Sequence, residues 1–93
     1  MDSVERDPKA YATIRIRLPS ERESAVIYRA LKPETESSPT PRSKVSIDRD
    51  RRLLTLTFKA SDTTALRAAV NSYLRWFMLL DDAYWKIETL RRG

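Results

Sequence analysis

The sequence predicts an α+β fold. It is a single β-α-β-β-α domain in which a three-stranded antiparallel sheet carries two helices packed on one face. Three observations predict it. "AYATIRIRL", residues 10–18, alternates strictly in polarity, as a half-buried strand does. "SKVSIDRDRRLLTLTFKA", residues 43–60, repeats that alternation over enough chain for two strands and a turn. A stretch of helical periodicity follows each block, which gives the element order. At 93 residues one domain is expected, over 10–92, with 1–9 as a flexible polar lead-in and 34–41 as a loop.

Each element has a local reason. In the first strand Ala12, Ile14, Ile16 and Leu18 share one face, and Tyr11, Thr13, Arg15 and Arg17 the other. Ser20 and Glu23 form an S-x-x-E capping box, so a helix should begin there. Its inward stripe is read as Ile27, Ala30 and Leu31 with Val26 beside them. Pro33 disfavours helical geometry at Lys32, and the helix should end near that point. "ETESSPTP" has loop composition. In the hairpin Val45 and Ile47 point inward on one strand, and Leu54, Leu56 and Phe58 on the next. Asp48 to Arg51 should make the turn. Lacking glycine, it is expected to be a longer loop built on a type I turn rather than a two-residue type I′ turn.

Ser61 or Asp62 should cap a final helix running from about 62 to near 90. Leu66, Val70, Tyr73, Phe77, Leu80, Tyr84 and Ile87 recur at spacings of four and three and should face the sheet. Arg67, Asn71, Arg75 and Asp82 lie roughly opposite. Between them runs a flank of Ala65, Ala68, Ser72, Trp76, Leu79 and Ala83. The apolar arc is wider than one sheet face needs, so the first helix of the same chain or a separate partner should cover the flank. The polar stripe could equally be a solvated face, or Asn71 an internal brace.

Composition excludes much chemistry. There is no cysteine, hence no disulfide framework and no thiolate nucleophile. There is no histidine, the commonest general base and transition-metal ligand. The only glycine is Gly93, so no glycine-rich loop cradles a phosphate. The carboxylate pairs Asp48/Asp50, Asp81/Asp82 and Glu34/Glu36 fall in an expected turn, an exposed helix and a linker, where a desolvated base is seldom found. No catalysis, cofactor or metal is expected. The N-terminus lacks an apolar signal region and the longest apolar run is "WFMLL", far below the ~20 residues of a membrane span. A soluble, cytoplasmic protein is the expectation. The net charge of +5 favours an anionic partner.

The last helix also carries a resemblance. The run "D-x-x-x-L-R-A-x-x-N-S-x-L-R-W", from Asp62 to Trp76, together with "LKPE" after the first helix, resembles the signature of the small dimerisation subunit of the KEOPS complex, the CTAG/LAGE-like family, and looks closest to its archaeal members. The resemblance covers most of residues 10–77. It implies a non-catalytic scaffold subunit of the machinery that makes threonylcarbamoyladenosine in transfer RNA. It further implies a homodimer that binds the catalytic threonylcarbamoyl transferase, a subunit of actin-like ATPase fold, through a helical bundle. On that implication Arg67, Asn71, Ser72, Arg75, Trp76 and Leu79 become the candidate partner residues.

A rival reading is a small basic RNA-binding module. Arg15, Arg17, Lys44 and Lys59 fall on the outer sheet face, with Tyr11 nearby, and could track a phosphate backbone. The same four residues are the candidates for a secondary transfer RNA contact within a complex.

Overall fold

The computed structural model describes residues 9–37 and 42–92. The elements are β1 (Ala10–Arg17), α1 (Glu21–Ser37), β2 (Ser43–Asp50), β3 (Leu53–Ala60) and α2 (Thr63–Arg92), in the predicted order. The sheet is antiparallel with order β1-β3-β2, so β3 is central and both other strands are edges. Except for Lys9, which donates to the Ala60 carbonyl at 2.9 Å, the expected lead-in lies outside the described residues.

Register explains the faces. Ala12, Ile14 and Ile16 pair with Phe58, Leu56 and Leu54, which in turn pair with Val45, Ile47 and Arg49. Because side chains alternate, this row forms one face, and it is the face both helices cover. Leu54, Leu56, Phe58 and Ile27 are fully buried in that layer, and Leu31 nearly so. Tyr73 of α2 completes the core. Its ring meets Phe58 edge-on with centroids 6.0 Å apart, a favoured aromatic geometry.

Four expectations needed correction. First, α1 does not stop at Pro33 but continues to Ser37, so helix replaces the expected loop over 34–37, while 38–41 lie outside the described residues. A proline in a helix interior costs roughly 3 kcal/mol. Here it falls near the C-terminal end, its ring is exposed, and the flanking turn is held by other contacts. Leu31 anchors it in the core, Thr35 Oγ1 donates to the Lys32 carbonyl at 2.7 Å, and the Lys32 ammonium lies 6.0 Å from the Tyr28 ring centre.

Second, the inward stripe of α1 is rotated. Ile27 and Leu31 are buried, but Ala30 is exposed and Val26 is 44% exposed; Glu23 and Ser24 take the inner positions. Third, β2 runs on through Asp50, so Asp48 to Asp50 are strand residues and the turn is Arg51–Arg52 alone. Arg51 has a φ of 56° without being glycine. Left-handed geometry is unfavourable for such a residue, and a buried serine compensates. The Ser24 hydroxyl and the Arg49 guanidinium both donate to the Arg51 carbonyl, pinning the turn onto α1. Without glycine the local sequence does not favour a tight turn; the anchor that permits one lies 27 residues away.

Fourth, Ile87 does not face the sheet; it is 58% exposed. Length is the reason. An eight-residue strand spans about 27 Å, whereas the 30 residues of α2 span about 45 Å. The helix therefore overhangs the sheet, in a molecule 54 Å long and 20 Å across. Asp62 caps its start, accepting from the Ala65 N–H at 2.7 Å. That bond, then the Arg42 guanidinium, holds the Asp62 carboxyl below its usual range.

Candidate functional site

The helix layer presents two different surfaces, and the packing of α1 on α2 decides which is which. Three interactions across the helix pair fix the orientation. Arg22 pairs with Glu88 at 3.6 Å, Glu23 faces Asp81, and Glu34 acts on Tyr73. Rising numbers on α1 meet falling numbers on α2, so the helices run antiparallel. At roughly 100° per residue, Asp81 and Glu88 mark the side of α2 that faces α1. Ser72, Leu79 and Ala83 project from the opposite side. The first helix therefore does not cover the small-residue flank.

Exposure agrees. Ala68, Ser72 and Ala83 are exposed, Trp76 is 40% exposed and Leu79 61%. Trp76 still contacts the core at one edge, its ring lying 5.6 Å from that of Tyr73. Arg67, Asn71 and Arg75 are exposed as well, on the outward side. The structure thus puts all six candidate residues at the surface of one helix. Ser72, Trp76 and Leu79 form the flank away from α1, and Arg67, Asn71 and Arg75 form the outer stripe.

Two large residues of this surface were not singled out in the sequence. Met78 is 67% exposed and Trp85 42%. Asn71, Met78 and Trp85 follow one another at intervals of seven, which keeps them on one face with a drift of only about 20° per step. That spacing is readable in the sequence, alongside the stronger pattern of the seven sheet-facing residues. Ile87 and Leu90, the latter 80% exposed, continue the apolar character along the last turns of α2. A helix that shows water apolar groups on several sides is one that another surface normally covers.

The outer sheet face is less basic than expected. Lys59 lies between Tyr11 and Lys44, which keeps that end positive. At the other end Arg15 and Asp48 both flank Thr55, and Arg17 and Asp50 both flank Leu53. Each arginine thus has a carboxylate on the same face two strand spacings away, about 10 Å. The longer β2 is what brings those aspartates onto the face. An open cleft of about 300 Å³ at the hairpin tip mixes Arg17, Arg51 and Arg52 with Glu21 and Asp50 and is not a single-sign site. Among the described residues no group of three or more His, Cys, Asp or Glu could hold a metal ion, and no helix is long and apolar enough to cross a membrane.

Residues 11–83 match the family described as "Transcription factor Pcc1". The chain belongs to the Pcc1 family. A relative from Pyrococcus abyssi (strain GE5 / Orsay), the KEOPS complex subunit Pcc1, is 41% identical over 67 residues, covering 72% of this chain and 82% of the relative. Among solved structures, a chain of the crystal structure of a binary Gon7–Pcc1 complex superposes with a TM-score of 0.77 at 16% identity, over 87% of this chain and 99% of that one. The last likeness is one of fold: the three-stranded sheet with its helix pair recurs in that solved chain. The match to the Pcc1 family stops short of the last turns of α2.

Proposed function

We propose that this chain is a non-catalytic scaffold and dimerisation subunit of a KEOPS complex, acting in the threonylcarbamoyladenosine modification of transfer RNA. The Pcc1 family match and the 41% identity to a KEOPS Pcc1 support that reading. The observation that carries it into a mechanism is the uncovered surface of α2. Trp76 and Leu79 on the flank, and Met78 and Trp85 beside the outer stripe, are large, apolar and at least 40% exposed, so the uncovered part of α2 wraps about half of its circumference. The occupant we assign is the helical part of the catalytic threonylcarbamoyl transferase subunit, of actin-like ATPase fold. The apolar residues supply buried area. Arg67, Asn71 and Arg75 supply orientation, since an amide offers two donors and an acceptor and arginine is enriched at interfaces.

Self-association has its own physical motive. Both edge strands, β1 and β2, carry backbone groups facing outward from the sheet, and such edges pair with a second chain unless protected. A homodimer with each copy carrying one catalytic subunit follows, in the cytoplasm. The absence of histidine and cysteine from the sequence fits a subunit that positions others and performs no chemistry itself. A transfer RNA contact is secondary in this scheme and belongs to the Tyr11, Lys44 and Lys59 end of the sheet. The mixed charge at the Arg15 and Arg17 end speaks against a free-standing RNA module.

The test is affinity capture of the tagged chain at native salt, read by mass spectrometry. Recovery of an actin-like ATPase-fold transferase is expected. Recovery of RNA with no such protein would overturn the scaffold reading.

A further inference from the structure

The seam between α1 and α2 holds a buried acid, Glu23, for which no ion pair is found among the described residues. Glu23 is 0% exposed, and apart from the Asp81 carboxyl across the seam, which can bond to it only through a proton, neither of its oxygens has a hydrogen-bond partner among the described residues. Only half of the expected capping box forms. Ser20 Oγ accepts from the Glu23 N–H at 3.1 Å, but the Glu23 carboxylate makes no return bond and is turned into the seam.

The group that acts on it from α2 is another acid, Asp81. The charged groups around the seam have other partners. On α1, Arg22 reaches across to Glu88, which also holds Arg91 at 3.1 Å. On β2, the Arg49 guanidinium donates to the Arg51 carbonyl at 2.9 Å, and on α2 Lys86 pairs with Asp82 at 3.0 Å. Two ionised carboxylates are acceptors only; they cannot bond to one another, and they repel. A single proton between them turns the repulsion into a donor–acceptor pair.

We propose that Glu23 keeps its proton in the folded domain and donates it to the Asp81 carboxylate, so that one shared proton ties α1 to α2 and its loss loosens the helix pair. Burial first, then the hydrogen bond and charge of Asp81, push the Glu23 carboxyl up from 4.5 to about 7. The folded chain therefore binds this proton more tightly than the unfolded one. The stabilisation it brings is complete below about pH 4.5 and is lost as pH rises through about 7. The device thus works within the physiological range, on the two helices that frame the exposed surface, and it stands whether or not a KEOPS partner docks there.

Carboxyl ¹³C NMR titration of the full chain, paired with thermal melts from pH 5 to 9, tests it. Glu23 is expected to titrate near pH 7, a proton affinity about 300-fold above that of a free glutamate. The wild-type melting temperature should fall between pH 6 and 8. Glu23→Gln, whose amide can donate to Asp81 at any pH, should remove that fall. Glu23 titrating in the ordinary carboxylate range overturns the proposal, as do equal pH slopes in the two proteins. A rise in melting temperature at pH 8 on adding Mg²⁺, reversed by EDTA, also overturns it, because the pair then serves a metal and not a proton. Should the variant fail to fold, the wild-type titration alone decides.

Discussion

Truncating Leu79 to alanine separates a partner surface from a core in α2. Leu79 is 61% exposed. Fully burying a leucine side chain contributes about 1.5–3 kcal/mol, so the exposed three fifths are worth about 1–2 kcal/mol to whatever covers them. Alanine retains a part, which leaves a loss of about 1 kcal/mol, or roughly fivefold to tenfold in affinity. The domain itself should hardly notice, because surface changes usually cost under about 0.5 kcal/mol. Ile27→Ala is the converse. Ile27 is 0% exposed and anchors α1 to the sheet, so its truncation should cost about 2–5 kcal/mol, out of the 5–15 kcal/mol typical of a whole domain. At about 4–8 °C per kcal/mol, the melting temperature should drop by roughly ten degrees or more. Scanning fluorimetry reads the stability, and isothermal titration with the catalytic subunit reads the affinity. Sedimentation of the isolated chain reports whether the loss falls on the homodimer instead. A Leu79→Ala protein that melts as low as Ile27→Ala would show that the flank is covered within one chain. A protein with unchanged melting, unchanged affinity and unchanged self-association would refute the interface assignment.

Arg51→Gly should stabilise the domain by up to about 1 kcal/mol, since glycine adopts a positive φ without the steric cost and the anchoring bonds go to the Arg51 carbonyl; denaturant melts check this, and a loss of stability would assign the Arg51 side chain a role. Asp62→Ala should lower the melting temperature by removing the cap of α2. Because the Asp62 carboxyl is held below its usual range, its contribution is present at neutral pH and fades as pH falls through that lowered value, so wild type and variant should converge in acid. Reversing the charges of Lys44 and Lys59 together should weaken RNA binding and flatten its salt dependence more than reversing Arg15 and Arg17 does, with little change in affinity for the catalytic subunit; filter binding over a salt series reads it, and RNA binding unchanged in both variants would exclude the outer sheet face as the contact.

The sequence by itself determined the element order, the two faces of β1 and β3, a cap at Ser61 or Asp62 and the long final helix; the structure chose Asp62. Each rests on interactions within a few residues: alternation, three-and-four spacing, a side chain bonding three positions on. It also carried the family, because the run from Asp62 to Trp76 is a pattern of identities that needs no coordinates. What only the tertiary structure decided depends on distance across the fold. Helix propensity at Pro33 yielded to the burial of Leu31 two residues earlier. The tight Arg51–Arg52 turn exists because Ser24, remote in sequence, holds its carbonyl. Asp48 and Asp50 reached the outer sheet face only once β2 was seen to extend through them. Glu23 read as a capping residue and Asp81 as part of an exposed pair. No periodicity could reveal that the antiparallel packing of α1 on α2 would bring the two acids together in one seam, because that contact spans 58 residues and is set by which sides of two helices meet. The same packing leaves Leu79 and Trp76 uncovered on the far side of α2, since a helix has one circumference and α1 occupies only one sector of it.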